Sequence, residues 1–270
     1  MVFEYQENQI YYEEIGEGTP ILLIHGLGAE MGLMKACMEP VFHNVSGYRR
    51  IYLDLPGMGK SNAVCSWASS DGVLEVLTAF VREVIKTDFL VAGQSYGGYL
   101  ARGILRNFPE KVLGMALICP VAIAWHKDRK LPVTDFKVID KDVLKELDPK
   151  MQADLCRSFV RLNKETYRLV QEIMDSFGKE NTQFVEELVK QYAYSFDVDA
   201  EIKKMDYQKP VLFLTGKQDT VTGYADVWEI AKDYARATFT VIDIAGHALQ
   251  IDQKELFEVM IREWLERAAE

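Results

Sequence analysis

The sequence predicts an α/β protein built on a mostly parallel sheet, and three observations carry that reading. Short apolar runs bounded by turn residues recur at 21–24, 51–53, 89–92, 115–118, 211–214 and 239–242, as expected of strands buried on both faces. Helix-period stretches separate several of them: Val73, Val76, Leu77, Phe80 and Val84 in one, Leu100, Ile104 and Phe108 in another. Such alternation packs helices onto a parallel sheet. Finally, 270 residues that are 49% hydrophobic, 27% charged and 11% aromatic can bury a sizeable core, which excludes disordered, collagen-like and small disulfide-stapled classes.

The elements follow in order. Phe3 to Gln6 and Gln9 to Glu14 flank Glu7-Asn8 with no helix between them, so an antiparallel hairpin at the sheet edge is expected. The runs from Ile21 to Ile118 then alternate with helices until Pro120. Between Pro120 and Pro210 the apolar residues take helical spacing instead: Leu155, Phe159 and Leu162; Tyr167, Val170, Met174 and Phe177; Phe184, Leu188 and Tyr192. This predicts a helical insertion over 120–209 within one α/β domain formed by 1–119 and 210–270. Residues 121–209 hold 16 basic and 17 acidic side chains, so the insertion is no polyanionic tail. Its stripes either close a small core of their own or cover a pocket.

Charge and cysteine usage narrow the function classes. With 31 Lys and Arg against 41 Asp and Glu, a net charge of −10, the chain is a poor candidate for gripping phosphate backbones, and no nucleic-acid partner is expected. Cys37, Cys65, Cys119 and Cys156 form no C-x-x-C pair, so neither a zinc nor a redox pattern is present and buried, reduced thiols are expected. The acidic amino terminus lacks a basic segment followed by an apolar stretch, and no apolar run approaches the ~20 residues that span a bilayer. A cytoplasmic protein with no membrane partner is the expectation.

The chemistry-bearing pattern is Gly93-Gln94-Ser95-Tyr96-Gly97-Gly98, a G-x-S-x-G between the run 89–92 and a plausible helix from Tyr99. A sharp strand-to-helix turn holds such a serine in a strained conformation, and only small residues fit at the flanking positions. The plain alternative is that Ser95 merely caps the helix. A serine hydroxyl needs a base to take its proton, so the pattern calls for a later histidine with an acid between them in the chain. Of four histidines, only His247 follows a late strand, in Ala245-Gly246-His247-Ala248. His25 precedes the serine, while His43 and His126 lie in an early helical segment and at the start of the insertion. Asp219 follows the run 211–214 in Thr215-Gly216-Lys217-Gln218-Asp219 and is the expected acid, its plain alternative being a turn former. Asp243 on the last strand is expected to face away, and the strand one earlier ends in Cys119-Pro120 without a carboxylate. Donors for a developing oxyanion are expected from the amides of Tyr96 and of Leu27, in Ile24-His25-Gly26-Leu27-Gly28.

Together with Asp54-Leu55-Pro56-Gly57-Met58-Gly59-Lys60-Ser61, these pieces make the chain resemble the α/β-hydrolase superfamily along nearly its whole length. The resemblance implies an eight-stranded sheet, a helical cap inserted after strand six, a Ser-Asp-His triad that works without cofactor or metal, and a mainly structural role for 54–61. Serine at 95, where epoxide hydrolases and haloalkane dehalogenases of the superfamily carry aspartate, argues against both reactions. Gln94-Ser95-Tyr96 is also unlike the tryptophan-containing elbow of proline iminopeptidases. The function expected is hydrolysis of a small, largely apolar carboxylic ester through an acyl-enzyme on Ser95, with a small-molecule substrate as the partner. Two alternatives stand beside it. A carbon-carbon bond hydrolase of ring-cleavage products would need an arginine in the pocket, from Arg102, Arg129, Arg157, Arg161 or Arg168. A triad-retaining ligand receptor or signalling protein would bind without turnover.

Overall fold

A computed structural model describes residues 1–134, 136–145, 147–175 and 181–270. Its strands are β1 (Val2–Tyr5), β2 (Asn8–Ile15), β3 (Thr19–Ile24), β4 (Tyr48–Leu53), β5 (Phe89–Gln94), β6 (Val112–Ile118), β7 (Val138–Ile139), β8 (Arg161–Leu162), β9 (Val211–Gly216) and β10 (Ala237–Ile242). Eight of them form one sheet in the order β1-β2-β4-β3-β5-β6-β9-β10. The β1–β2 and β2–β4 pairs are antiparallel and every other pair is parallel. The fold is the predicted α/β-hydrolase type, mostly parallel with an antiparallel edge.

Around the sheet lie α1 (Met31–Met38), α2 (Ser70–Phe80), α3 (Tyr96–Asn107), α9 (Ala225–Ala231), α10 (Leu249–Asp252) and α11 (Lys254–Ala269). Between β6 and β9 the chain forms α4 (Lys141–Lys145), α5 (Pro149–Ser158), α6 (Lys164–Asp175), α7 (Thr182–Lys190) and α8 (Val198–Lys203). The period-2 geometry of a strand sends alternate residues to opposite faces. Leu22 and Ile24 accordingly join a core with Val73, Leu77, Leu100 and Ile104, while Ile21 and Leu23 join a second with Met34, Met38, Phe257 and Trp264. Covering both faces with helices is why these strands read as continuous apolar runs. None of the described helices is long and apolar enough to cross a membrane.

Three details differ from the sequence reading. The hairpin turns at Gln6-Glu7 rather than Glu7-Asn8, because Tyr5 pairs with Asn8 and Gln6 takes φ +54°. The buried Asn8 stays in the ladder and binds outward, accepting from the Val64 amide and donating to the Tyr5 carbonyl. The stripe Leu155, Phe159, Leu162 is not one helix: α5 stops at Ser158, and Leu162 lies on β8, paired in parallel with β7. All three side chains are nonetheless buried in the same core, so the apolar spacing was right about burial and wrong about conformation. Phe177 lies outside the described residues. Of the four cysteines expected to be buried, the structure buries only Cys37 and Cys119 and leaves Cys65 and Cys156 half-buried.

The apolar side chains of 120–209 do not close a core of their own. Val143, Leu155, Phe159 and Val170 join the core of α1 and α11, whereas Phe184 and Leu188 join that of α2 and α3. The return to the sheet is pinned by aromatic stacking, with Tyr99 and Tyr194 at 4.3 Å and Tyr96 and Tyr192 at 4.9 Å between ring centroids. Ser70 Oγ adds a hydrogen bond of 2.5 Å to the Tyr192 carbonyl.

The turn from β5 to α3 packs backbone directly against backbone. A Cβ on Gly97 would stand 2.3 Å from the Ile24 carbonyl oxygen, and one on Gly93 would stand 2.2 Å from the Gly97 carbonyl oxygen. Both obstacles are backbone and cannot swing away. Gly97→Ala is therefore expected to lower the unfolding free energy by about 1–3 kcal/mol or more, measured by urea denaturation. A change within 0.5 kcal/mol (~) would show that the turn relaxes freely.

Candidate active site

Ser95 sits between β5 and α3 with φ +54° and ψ −114°, a conformation that costs a residue bearing a Cβ on the order of 1–3 kcal/mol. Surrounding hydrogen bonds hold it there. Its amide donates to the Ile118 carbonyl at 2.9 Å, and its carbonyl accepts from the amides of Gly98, Tyr99 and Val121. The strand is thereby stopped and the hydroxyl is presented at the carboxyl end of the parallel strands, where crevices of open α/β sheets form.

Asp219 follows β9 on a loop closed by its own amide bonding to the Gly216 carbonyl at 3.2 Å. It is fully buried, and its carboxylate accepts four hydrogen bonds: from the Val221 amide at 2.8 Å, the Thr222 amide at 3.0 Å, Thr222 Oγ1 at 2.6 Å and His247 Nδ1 at 3.0 Å. Burial pushes its pKa up, but the imidazole and the Thr222 donors outweigh burial and hold it below the usual carboxylate range. Asp219 is therefore ionised at neutral pH and can only accept. It follows that His247 Nδ1 carries the proton, which leaves the Nε2 lone pair to accept from the Ser95 hydroxyl at 2.9 Å. The three side chains form one directed chain of hydrogen bonds.

The other expected residues stand as follows. Tyr96 is the first residue of α3, where helix amides have no intrahelical acceptor and the helix dipole favours negative charge. Leu27 lies on the loop after β3 and, like Ser95 and His247, lines both cavities described below. His25 is fully buried and holds that loop: its Nε2 accepts from the Leu55 amide at 2.9 Å, so its Nδ1–H donates to the Gly26 carbonyl at 2.7 Å. Burial lowers its pKa and keeps it neutral. His43 and His126 are exposed. Asp243, just past the end of β10, is exposed and accepts from Gln218 Nε2 at 2.7 Å. In the segment 54–61, the Asp54 carboxylate brackets the turn by accepting from the amides of Met31 and Lys60.

Sequence reasoning missed Thr222 and Gln94. Thr222 supplies two of the four donors on Asp219, and only its spacing of three from the aspartate, typical of a side chain capping a turn, could have flagged it. Gln94 places Nε2 3.4 Å from His247 Nε2, and its side chain fills the space that Gly26 leaves, where a Cβ would lie 2.4 Å from Gln94 Oε1.

Two cavities meet at Ser95. One, ≈ 620 Å³, is walled largely by Leu33, Met151, Leu155, Phe159, Val170 and Ile173. The other, ≈ 670 Å³, is lined by Trp125, His126, Arg129, Arg157 and Tyr192 among others. Of the candidate arginines, Arg102 is buried against Asp199 and the Val121 carbonyl, and Arg161 and Arg168 line a separate ≈ 380 Å³ hollow. Arg129 donates to the carbonyls of Ile123, Ala124 and Val221, a staple for the chain around it. Arg157 alone both faces the second cavity and is exposed.

A metal does not suit this site. Cys119, Asp219 and His247 offer atoms within 4.8 Å of one another. However, the oxygens of Asp219 are already engaged, and burial raises the Cys119 pKa well above that of a free thiol, which opposes the thiolate a metal needs.

The chain matches the alpha/beta hydrolase fold family over residues 19–254. An alpha/beta superfamily hydrolase from Oenococcus oeni PSU-1 superposes with a TM-score of 0.87 at 32% identity, covering 97% of each chain. A pimeloyl-[acyl-carrier protein] methyl ester esterase of Shewanella woodyi is 22% identical over 96% of this chain and 99% of its own length. An (E)-2-((N-methylformamido)methylene)succinate hydrolase of Acinetobacter baylyi is 25% identical over 95% and 94%.

Thr222→Val keeps shape but removes the hydroxyl donor to an ionised carboxylate, an interaction worth about 1.5–3 kcal/mol. A carboxyl whose folded pKa lies below its unfolded value stabilises the fold above the unfolded pKa, and that stability is lost as pH falls towards the folded one. The stability deficit of the variant, measured by denaturant titration, is thus expected to be full at pH 7 and to shrink in acid. A deficit independent of pH would contradict the assignment of charge to Asp219. The directed chain from Ser95 through His247 to Asp219 sits on the scaffold that these relatives share, and the protein belongs to the alpha/beta hydrolase fold family as a hydrolase.

Proposed function

We propose that the protein hydrolyses a small, largely apolar carboxylic ester, with Ser95 as nucleophile, His247 as general base and acid, Asp219 as its orienting carboxylate, and the amides of Leu27 and Tyr96 as the oxyanion site. The observation that carries this is the 2.9 Å contact of Ser95 Oγ with an imidazole nitrogen that must be the acceptor, at the junction of two cavities. The esterase named among the relatives agrees with it.

In this reading Ser95 Oγ attacks the ester carbonyl carbon while its proton passes to Nε2, and the buried carboxylate stabilises the imidazolium so formed. The carbonyl oxygen takes up the negative charge beside the two amides, a stabilisation worth about 2.7–4 kcal/mol per donor. Collapse expels the alcohol with the proton from Nε2. Water, deprotonated by the same nitrogen, then attacks the acyl-enzyme and returns Ser95. Segment 120–209 acts as the cap: through α5, α6 and the link after α5 it supplies Met151, Leu155, Phe159, Val170 and Ile173 to the apolar cavity, where an apolar half of the ester is desolvated. The second cavity takes the other half.

Turnover of short-chain aryl esters, followed by absorbance of the released phenol, is expected to vanish in Ser95→Ala, together with covalent labelling by a fluorophosphonate. Asp219→Asn is expected to lower kcat by roughly 10⁴-fold, because the amide can no longer enforce the Nδ1–H tautomer. No Ser95-dependent turnover across the panel would sink the ester reading.

The placement of Arg157 favours a second reading, carbon-carbon bond cleavage of a substrate carrying an acidic group. It predicts that Arg157→Ala raises KM for carboxylate-bearing substrates and leaves neutral esters unaffected.

A further inference from the structure

Asp252 closes α10, five residues after His247, and its side chain is 2% exposed. Among the described residues its carboxylate is hydrogen-bonded by backbone amides and by no side chain. Oδ2 accepts from the Gly246 amide at 2.8 Å and the Val160 amide at 3.0 Å, and Oδ1 accepts from the Arg161 amide at 2.9 Å. One buried group thus joins two remote stretches of backbone: the residue before His247, and the link between α5 and β8. On the other side of His247, the Ala248 amide donates to the Ser158 carbonyl at 3.0 Å. Gly246 lies so close to the same carbonyl that a Cβ there would stand 2.7 Å from it. Ser158 lines both cavities, as His247 does.

From this arrangement we infer that Asp252 is a positioning residue for hydrolysis, holding the backbone of His247 in register with the 158–161 wall so that Nε2 meets Ser95 while substrate lies against that wall. The inference rests on His247 being the base. The geometry is demanding, since three amide donors from two segments converge on two oxygens, and an error near 1 Å at a base can cost on the order of 10²-fold in rate. Asp252 lines neither cavity at Ser95, so it acts through the backbone of His247 and not by touching substrate.

The charge state of the clasp adds a readout. Burial raises the Asp252 carboxyl to about 6, against the three amides and Lys137, which lower it. Lys137 spans from Nζ to the carbonyls of Cys156 and Phe159. Arg161, Arg168 and Lys254 share the adjoining hollow with Glu165, Glu172 and Glu255, so no single neighbour clamps the proton. A protonated carboxyl cannot serve three donors as the carboxylate does. The clasp therefore loosens as pH falls through about 6.

The test compares wild type, Asp252→Asn and His247→Ala on one aryl ester from pH 5 to 8, with circular dichroism and thermal unfolding to verify folding. Asp252→Asn is expected to lower kcat at pH 8 by about tenfold or more with KM within twofold (~), and to show an acid limb of one-proton steepness where the wild type is steeper. A kcat within twofold (~) of wild type, or a wild-type limb of one-proton steepness, overturns the inference; the second measurement stands even if the variant fails to fold. Turnover surviving in His247→Ala would overturn instead the underlying assignment of the base.

Discussion

A carboxylate that accepts four hydrogen bonds in a fully buried position, as Asp219 does, has no freedom to change partner or protonation state at neutral pH. That constraint propagates outward. It dictates which imidazole nitrogen of His247 bears the proton, hence which nitrogen faces Ser95, hence the direction in which the serine proton can leave. Water would offer a free imidazole both tautomers and every orientation. Here the fold holds one tautomer and one orientation.

The sheet serves this arrangement by bringing three loops to one edge. β5, β9 and β10 are parallel and the first is separated from the others only by β6, so the turns at their carboxyl ends carry Ser95, Asp219 and His247 side by side. Ser95 carries local strain in its positive φ and is held by backbone bonds to Ile118, Gly98, Tyr99 and Val121. The glycines at 93 and 97 let backbone approach backbone where any side chain would collide. Stability is thus spent at the elbow to expose one hydroxyl, and regained in two cores that cover both faces of the sheet.

Polar side chains outside the directed chain follow the same logic of fixing loops through their amides. His25 ties the loop of Leu27 to that of Leu55, Thr222 completes the coordination of Asp219, and Asp252 joins the His247 loop to the inserted segment. Each is buried; His25 and Asp252 bond to backbone groups, and Thr222 bonds to the Cys119 carbonyl as well as to Asp219. Deleting such a group leaves unpaired donors in the interior, a cost that exceeds the value of any single bond. The apolar wall contributed by α5 and α6 is consequently held in a defined position relative to the reacting groups.

Much of this was legible in the chain itself. Apolar runs of three or four residues mark strands because both faces are buried, and G-x-S-x-G after such a run marks the elbow because only small residues survive there. The order serine, acid, histidine singled out Ser95, Asp219 and His247 from among nine serines and four histidines, since these patterns are local. What the chain could not show are contacts between residues remote in sequence. That Leu162 is a strand residue, that Thr222 grips Asp219, that Arg157 and not Arg102 or Arg161 faces a cavity at Ser95, and that Asp252 meets Val160 and Arg161 all depend on where separate segments come to rest. Periodicity reports which side chains are buried, because burial is imposed residue by residue by water. Which partner each one meets is decided only when the chain closes on itself.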